Sequence, residues 1–155
     1  MSARAWLAKA GEADAVARLL IGFRDHYGRS EPPDEAFHEG VARLIEDPGA
    51  EYLLAAASEG APPAGVCQLR YRHSLWTASE DCWLEDLFVE DSARRAGLGE
   101  ALVACAIERA RARGCGRVEL DVSQSNRAAW ALYERMGFSA GYKPPAPNVL
   151  MGLWL

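Results

Sequence analysis

The clearest pattern along the chain is helical. Leu98, Leu102, Val103, Ala106, Ile107 and Ala110 recur at steps of three and four, which predicts an amphipathic helix over residues 97–113. Gly114 follows as a left-handed cap. Strand patterns flank this helix. Residues 82–89 form an apolar run, and residues 118–122 alternate apolar and charged positions. Upstream, the pattern predicts a strand over 4–9 and a helix over 12–23 with Ala15, Leu19 and Leu20 toward the core. A second helix over 34–46 is stopped by Asp47-Pro48-Gly49. Strands over 51–57 and 64–73 are joined as a hairpin by the turn at 58–63. After residue 126 come a short helix, a Pro-rich loop over 143–147 and a last strand over 149–155. No linker divides the chain, so a single domain spanning 1–155 is expected, with a mixed α/β sheet flanked by helices.

Between the strand at 82–89 and the long helix stands Arg94-Arg95-Ala96-Gly97-Leu98-Gly99. A Gly-rich turn from a strand into a helix leaves several backbone N–H groups unpaired and aimed at one spot, which the helix dipole makes attractive to anions. Glycine lets a phosphate approach without a Cβ in the way. Two nucleotide motifs are excluded. A Walker loop requires Lys after its second Gly, and neither Gly97 nor Gly99 is followed by one; a Rossmann fingerprint requires a small residue where Leu102 stands.

What remains is Arg-x-x-Gly-x-Gly, read at Arg94, Gly97 and Gly99. It resembles the acyl-CoA pyrophosphate loop of the GCN5-related N-acetyltransferases. A second motif stands about 30 residues on: Asn-x-x-Ala-x-x-x-Tyr-x-x-x-Gly-Phe, from Asn126 to Phe138. It resembles the second signature of the same family, in the same order. The stretch Leu84-Glu85-Asp86-Leu87-Phe88-Val89 resembles the branch that acetylates polyamines, diamines and related small amines.

The resemblance implies a mostly antiparallel mixed sheet and acetyl-CoA as acyl donor, with no metal. It implies that CoA contacts Leu87, Phe88, Val89, Arg94, Arg95, Ala96, Gly97, Leu98, Gly99 and Asn126. It also implies a base at Glu85 and a general acid at Tyr133, near the CoA sulfur. Alternation places Trp83, Glu85, Leu87 and Val89 on one face of their strand and turns Asp86 the other way, as a structural residue or an Arg partner. Backbone N–H groups of 87–89 would hold a tetrahedral oxyanion if the strand bulges there, as it does in the family. Asn126, Trp130 and Tyr133 share one helix stripe, and Asn126 alternatively serves as an N-cap.

The acceptor pocket borders the loop between the first two helices in this family, which makes Asp25, Tyr27, Glu31 and Asp34, with Trp83 and Glu85, candidates for holding a cation. Tyr71 and Trp76 are candidates for that pocket or for a subunit interface; a homodimer is the family's frequent state. The net charge of −5 favours cationic acceptors and disfavours nucleic acid. Cys67, Cys82, Cys105 and Cys115 lack Cys-x-x-Cys spacing and are expected as free thiols, and His26, His38 and His73 as surface or loop residues. No long apolar stretch or secretory pattern is evident, so no membrane association and a cytoplasmic location are expected. The expected activity is direct acetyl transfer to a small cationic amine (polyamine, diamine or lysine-like). The alternatives are a protein N-terminal or lysine acetyltransferase, and a non-catalytic acyl-CoA-binding module.

Overall fold

The computed structural model describes residues 2–140 and 151–155. Five strands form one sheet in chain order: β1 (Arg4–Leu7), β2 (Ala50–Ala56), β3 (Gly65–Ser74), β4 (Ser79–Val89) and β5 (Arg117–Glu119). Short turns make β2–β3 and β3–β4 antiparallel hairpins, and β1 adds antiparallel to β2. The passage from β4 to β5 carries a helix, and that pair is parallel, as a crossover connection allows. The expected α/β class and mixed, mostly antiparallel sheet are both present.

Two apolar layers sandwich the sheet. Helices α1 (Ala13–His26) and α2 (Asp34–Leu44) cover one face, with Val16, Leu19, Leu20 and Val41 packed on Tyr52, Leu54, Val66 and Phe88. Helices α3 (Leu98–Ala112) and α4 (Arg127–Arg135) cover the other, where Leu102, Val103, Ala106 and Tyr133 meet Leu53, Cys67, Leu69, Cys82 and Leu84. The buried stripe of α3 is the one its periodicity predicts. Gly114 takes φ +82, and the Cys115 N–H donates to the Ala110 carbonyl at 2.9 Å, closing the last turn.

The sheet departs from the sequence pattern in β4. Val66 pairs with Phe88 but Gln68 pairs with Glu85, so two steps on β3 match three on β4. This is a β-bulge, with Asp86 in the left-handed region at φ +57. It resets the alternation. Leu84, Leu87 and Val89 all pack on the α3 side, whereas Phe88 packs on the α1 side. Trp83 and Glu85, alternating with the buried Cys82 and Leu84, belong to the α1–α2 side. The expectation that Trp83, Glu85, Leu87 and Val89 share one face is therefore corrected: the extra residue divides them.

Two further expectations need correction. β5 is three residues long, because its pairing with β4 ends at Trp83 and Glu119 and the two strands then part. Of the expected last strand, residues 149–150 lie outside the described residues, as does the 143–147 loop. Residues 151–155 are exposed and have no strand partner among the described residues.

At the end of the sheet away from the bulge, Glu51 accepts hydrogen bonds from the Tyr71 hydroxyl and the Arg109 guanidinium. Arg113 stacks 3.9 Å above the Tyr71 ring and pairs with Glu80 at 2.8 Å. Tyr71 thus belongs to a structural network, not to an acceptor pocket. Burial pushes the Glu51 carboxyl up, but Arg109 and then Tyr71 outweigh it and hold the group below the usual carboxylate range. A depressed folded value contributes stability that is present above the unfolded value, about 4.3, and is lost as pH falls through the folded one. Glu51→Gln is expected to cost about 1–3 kcal/mol at neutral pH, measured by urea unfolding, with the difference shrinking in acid.

Candidate active site

The turn before α3 adopts conformations that most residues avoid. Arg95 has φ +65 and Gly97 φ +87. Positive φ in a non-glycine residue stores strain and is tolerated where the surrounding structure demands it. Gly97 sits at the N-cap of α3, and no side chain caps the first turn. The amides of that turn are therefore left for a ligand. Arg94 anchors the loop: its Nε donates to the Val89 carbonyl at 3.2 Å, and its Nη1 lies 3.0 Å from Asp91. A Cβ on Gly99 would stand 3.2 Å from Leu132 Cδ2, so glycine here permits α4 to approach α3.

Because β4 and β5 pair over only three positions, a cleft opens beyond Trp83 and Glu119. A cavity of about 1070 Å³ lies between the C-terminal end of β4, the turn before α3 and the start of α4. Ligands of parallel sheets characteristically bind in this position, outside the carboxyl ends of diverging strands. Leu87, Phe88 and Val89 form one wall, Arg94, Arg95, Gly97, Leu98 and Gly99 the next, and Asn126 and Tyr133 the third. Of the predicted acyl-CoA contacts, Ala96 alone is off the lining. Asn126 is a helix cap as well, its Oδ1 accepting from the Ala129 N–H at 3.3 Å. Among the lining residues that the sequence did not point to are His26 at the end of α1, and Ser123 and Ser125 before α4.

Tyr133 is the buried residue of α4. Its ring meets Phe138 edge-on at a centroid distance of 5.8 Å. Its hydroxyl makes no hydrogen bond among the described residues. Desolvation, then Cys67 and Asp121, push its pKa above the usual tyrosine value. The group therefore stays protonated through neutral and mildly alkaline pH.

A second cavity, about 450 Å³, lies under the loop between α1 and α2. Phe23 and Tyr27 line both cavities and mark where they meet. Of the predicted acceptor residues, Tyr27 and Glu31 line this one. Asp25 and Asp34 do not; each pairs with Arg24 at 2.8 Å, Asp25 on the exposed side of the helix end. Trp83 and Glu85 are also off the lining. Glu85 stands 4.0 Å from Arg70, whose Nη1 is buried without a hydrogen-bond partner among the described residues.

The carboxylate that does reach the cavity is Asp86, on its floor with Gln68 and Tyr52. Plain alternation turns it away from this face, and the bulge brings it in. Burial, then the neighbouring Asp86, raise the Glu85 pKa; burial, then Asp121, raise that of Asp86. The available signal was two successive acids in an apolar strand, one of them a residue type that tolerates the left-handed region.

The four cysteines are free thiols. Burial lifts Cys82 to about 12, and Cys67 is raised well above the ordinary thiol range by the same cause, so neither is a thiolate nucleophile at neutral pH. No group of three His, Cys, Asp or Glu residues is placed to hold a metal among the described residues. No helix among them is long and apolar enough to cross a membrane.

Comparison with known proteins agrees with this geometry. Residues 15–138 match the model of the acetyltransferase (GNAT) family. The chain is 30% identical over 131 residues to the uncharacterized N-acetyltransferase YhfO of Bacillus subtilis, covering 84% of this chain and 86% of that one. It is 32% identical over 93 residues to the L-ornithine N5-acetyltransferase NATA1 of Arabidopsis thaliana, covering 60% of this chain. It is 29% identical over 106 residues to the thialysine N-epsilon-acetyltransferase of Sus scrofa, covering 65% of this chain. The chain spans 41% and 55% of the length of these last two relatives. Its fold superposes with a TM-score of 0.73 on the ribosomal-protein-alanine N-acetyltransferase of Brucella melitensis, at 19% identity and coverage of 97% and 100%. With a family match across most of its length, and with both signature motifs on the walls of one cleft, the chain belongs to the acetyltransferase (GNAT) family.

Proposed function

We propose that the protein transfers an acetyl group from acetyl-CoA to a small primary amine within a ternary complex. One observation carries this reading: two cavities meet at Phe23 and Tyr27, beside a bulged strand whose residues 87–89 line one cavity and whose Asp86 lines the other. The larger cavity, with the uncapped N-terminus of α3 on its wall, suits the pyrophosphate and pantetheine of CoA. The smaller one suits an acceptor, since small-molecule sites typically enclose about 300–1,000 Å³. The names of the ornithine and thialysine relatives support a small acceptor.

The chemistry follows from these groups. A bound alkyl ammonium has a pKa near ~10.4 and must lose a proton before it attacks. Asp86, with Glu85 behind it, holds the cation and accepts the proton through water. Amides at 87–89 stabilise the oxyanion that forms on the thioester carbonyl. Tyr133 protonates the departing thiolate, or holds it by a hydrogen bond. Attack by the amine is direct, so no acyl-enzyme is formed and the buried thiols play no part.

The test is an acceptor screen that follows CoA thiol release, across polyamines, diamines, amino acids and short peptides. Release driven by small amines is expected; release driven by peptides alone would remove the small-amine half of the reading. Asp86→Asn keeps the size and the bulge but deletes the charge. Its kcat/KM at neutral pH is expected to fall about 10²–10⁴-fold and to recover partly at higher pH, where more acceptor is already neutral. A rise in KM alone, with kcat unchanged, would reduce Asp86 to a binding group.

A further inference from the structure

We infer that the acceptor carries an acidic group as well as the amine to be acetylated, and that Arg29 binds that acid. The inference rests on the second cavity being the acceptor site. Two arginines and two carboxylates line that cavity: Arg24, Arg29, Glu31 and Asp86. The arginines are not equivalent. Arg24 is spent on the fold, lying 2.8 Å from both Asp25 and Asp34 and donating to the Pro32 carbonyl at 2.8 Å. Arg29 has no side-chain hydrogen bond or ion pair among the described residues, although Glu31 lies two residues on. The cavity thus offers one uncommitted guanidinium, on the loop that roofs it.

The sheet contributes a carboxylate to the same lining. Asp86 stands on the floor at the bulge, next in the chain to Leu87, which lines the CoA cavity. An amine held at Asp86 faces the thioester side, and the rest of the molecule extends toward the loop. A linear polyamine would place its second ammonium against Arg29, where like charges repel. A zwitterion, with an ammonium at one end and a carboxylate at the other, complements both ends. Leu20, Phe37 and Val41 also line the cavity and suit an aliphatic or aromatic middle. A guanidinium also meets a carboxylate through two parallel N–H donors, which a neutral acceptor cannot use.

Matched pairs of acceptors test this: an α-amino acid and the amine left when its carboxylate is removed, such as lysine with cadaverine and ornithine with putrescine. The readout is kcat/KM from thiol release at saturating acetyl-CoA. The acid-bearing member of each pair is expected to be favoured. Arg29→Gln should lower its kcat/KM about ten- to a hundredfold, the scale of one hydrogen-bonded charge, and raise that of the decarboxylated partner, whose second ammonium no longer meets a like charge. Arg29→Glu should invert the preference. Arg29 is exposed on a loop, and circular dichroism of each variant checks the fold. A wild-type preference for the decarboxylated amines, or an equal effect of Arg29→Gln on both members, overturns the inference while the acetyltransferase reading stands. Turnover of neither member takes down the small-amine reading and this inference with it.

Discussion

Tyr133→Phe is expected to lower turnover about 10²–10⁴-fold while CoA affinity stays close to wild type. The substitution keeps the ring, its burial and its contact with Phe138, and removes only the hydroxyl. That hydroxyl has no partner among the described residues, so its loss leaves no protein group unsatisfied there. The effect should therefore appear in the chemical step and not in stability. A thiol near pKa ~8.5 is a moderately poor leaving group as its anion, and a tyrosine at or above ~10 is protonated when the thiolate departs. Because the Tyr133 pKa is raised, no loss of activity from its ionisation is expected below about pH 10. Steady-state kinetics of the variant checks this. Near-normal turnover would assign protonation of the thiolate to water.

Gly97→Asp is expected to abolish measurable CoA binding. Gly97 holds φ +87, a conformation that an L side chain enters only with strain. The nearest atom to a Cβ there is Ala3 Cβ at 3.7 Å, so the obstacle is not packing. It is the backbone conformation, plus a negative charge at a helix N-terminus proposed to hold phosphates. The two effects separate in experiment. Gly97→Ala tests the backbone alone, and Gly97→Asn, which enters the left-handed region about as readily as Asp, keeps the side-chain size without the charge. Calorimetric titration should rank affinity wild type, then Gly97→Asn, then Gly97→Asp, with thermal unfolding confirming that each variant folds. Undiminished affinity in Gly97→Asp would remove the loop from the site.

The parts of this molecule legible from sequence are those fixed by local chemistry. The α3 helix announces itself by the spacing of Leu98, Leu102, Val103, Ala106 and Ala110, and its end by Gly114, because periodicity and capping involve neighbours within a turn or two. The Arg94–Gly99 turn is equally local. The strand face of Glu85 was not legible. Its orientation depends on one extra residue in β4 relative to β3, a register fixed by packing between segments, and a single-residue slip exchanges the two faces. The same slip hid Asp86. The smaller cavity was visible only in part, through Tyr27 and Glu31, because its walls come from α1, α2, β2, β3 and β4 together. The division of labour between Arg24 and Arg29 depends on ion pairs that no spacing reports.

The most direct test of the central claim is label transfer. Acetyl-CoA carrying an isotopic label in its acetyl group is mixed with the protein and an amine acceptor, and mass spectrometry follows the acceptor and the intact protein while free CoA thiol is counted. The account predicts a labelled acetyl amide on the acceptor, formed one for one with free thiol, and no labelled acetyl on the protein's cysteines. Thiol release without a labelled amide, or a labelled acyl-protein that forms before the amide, would contradict it.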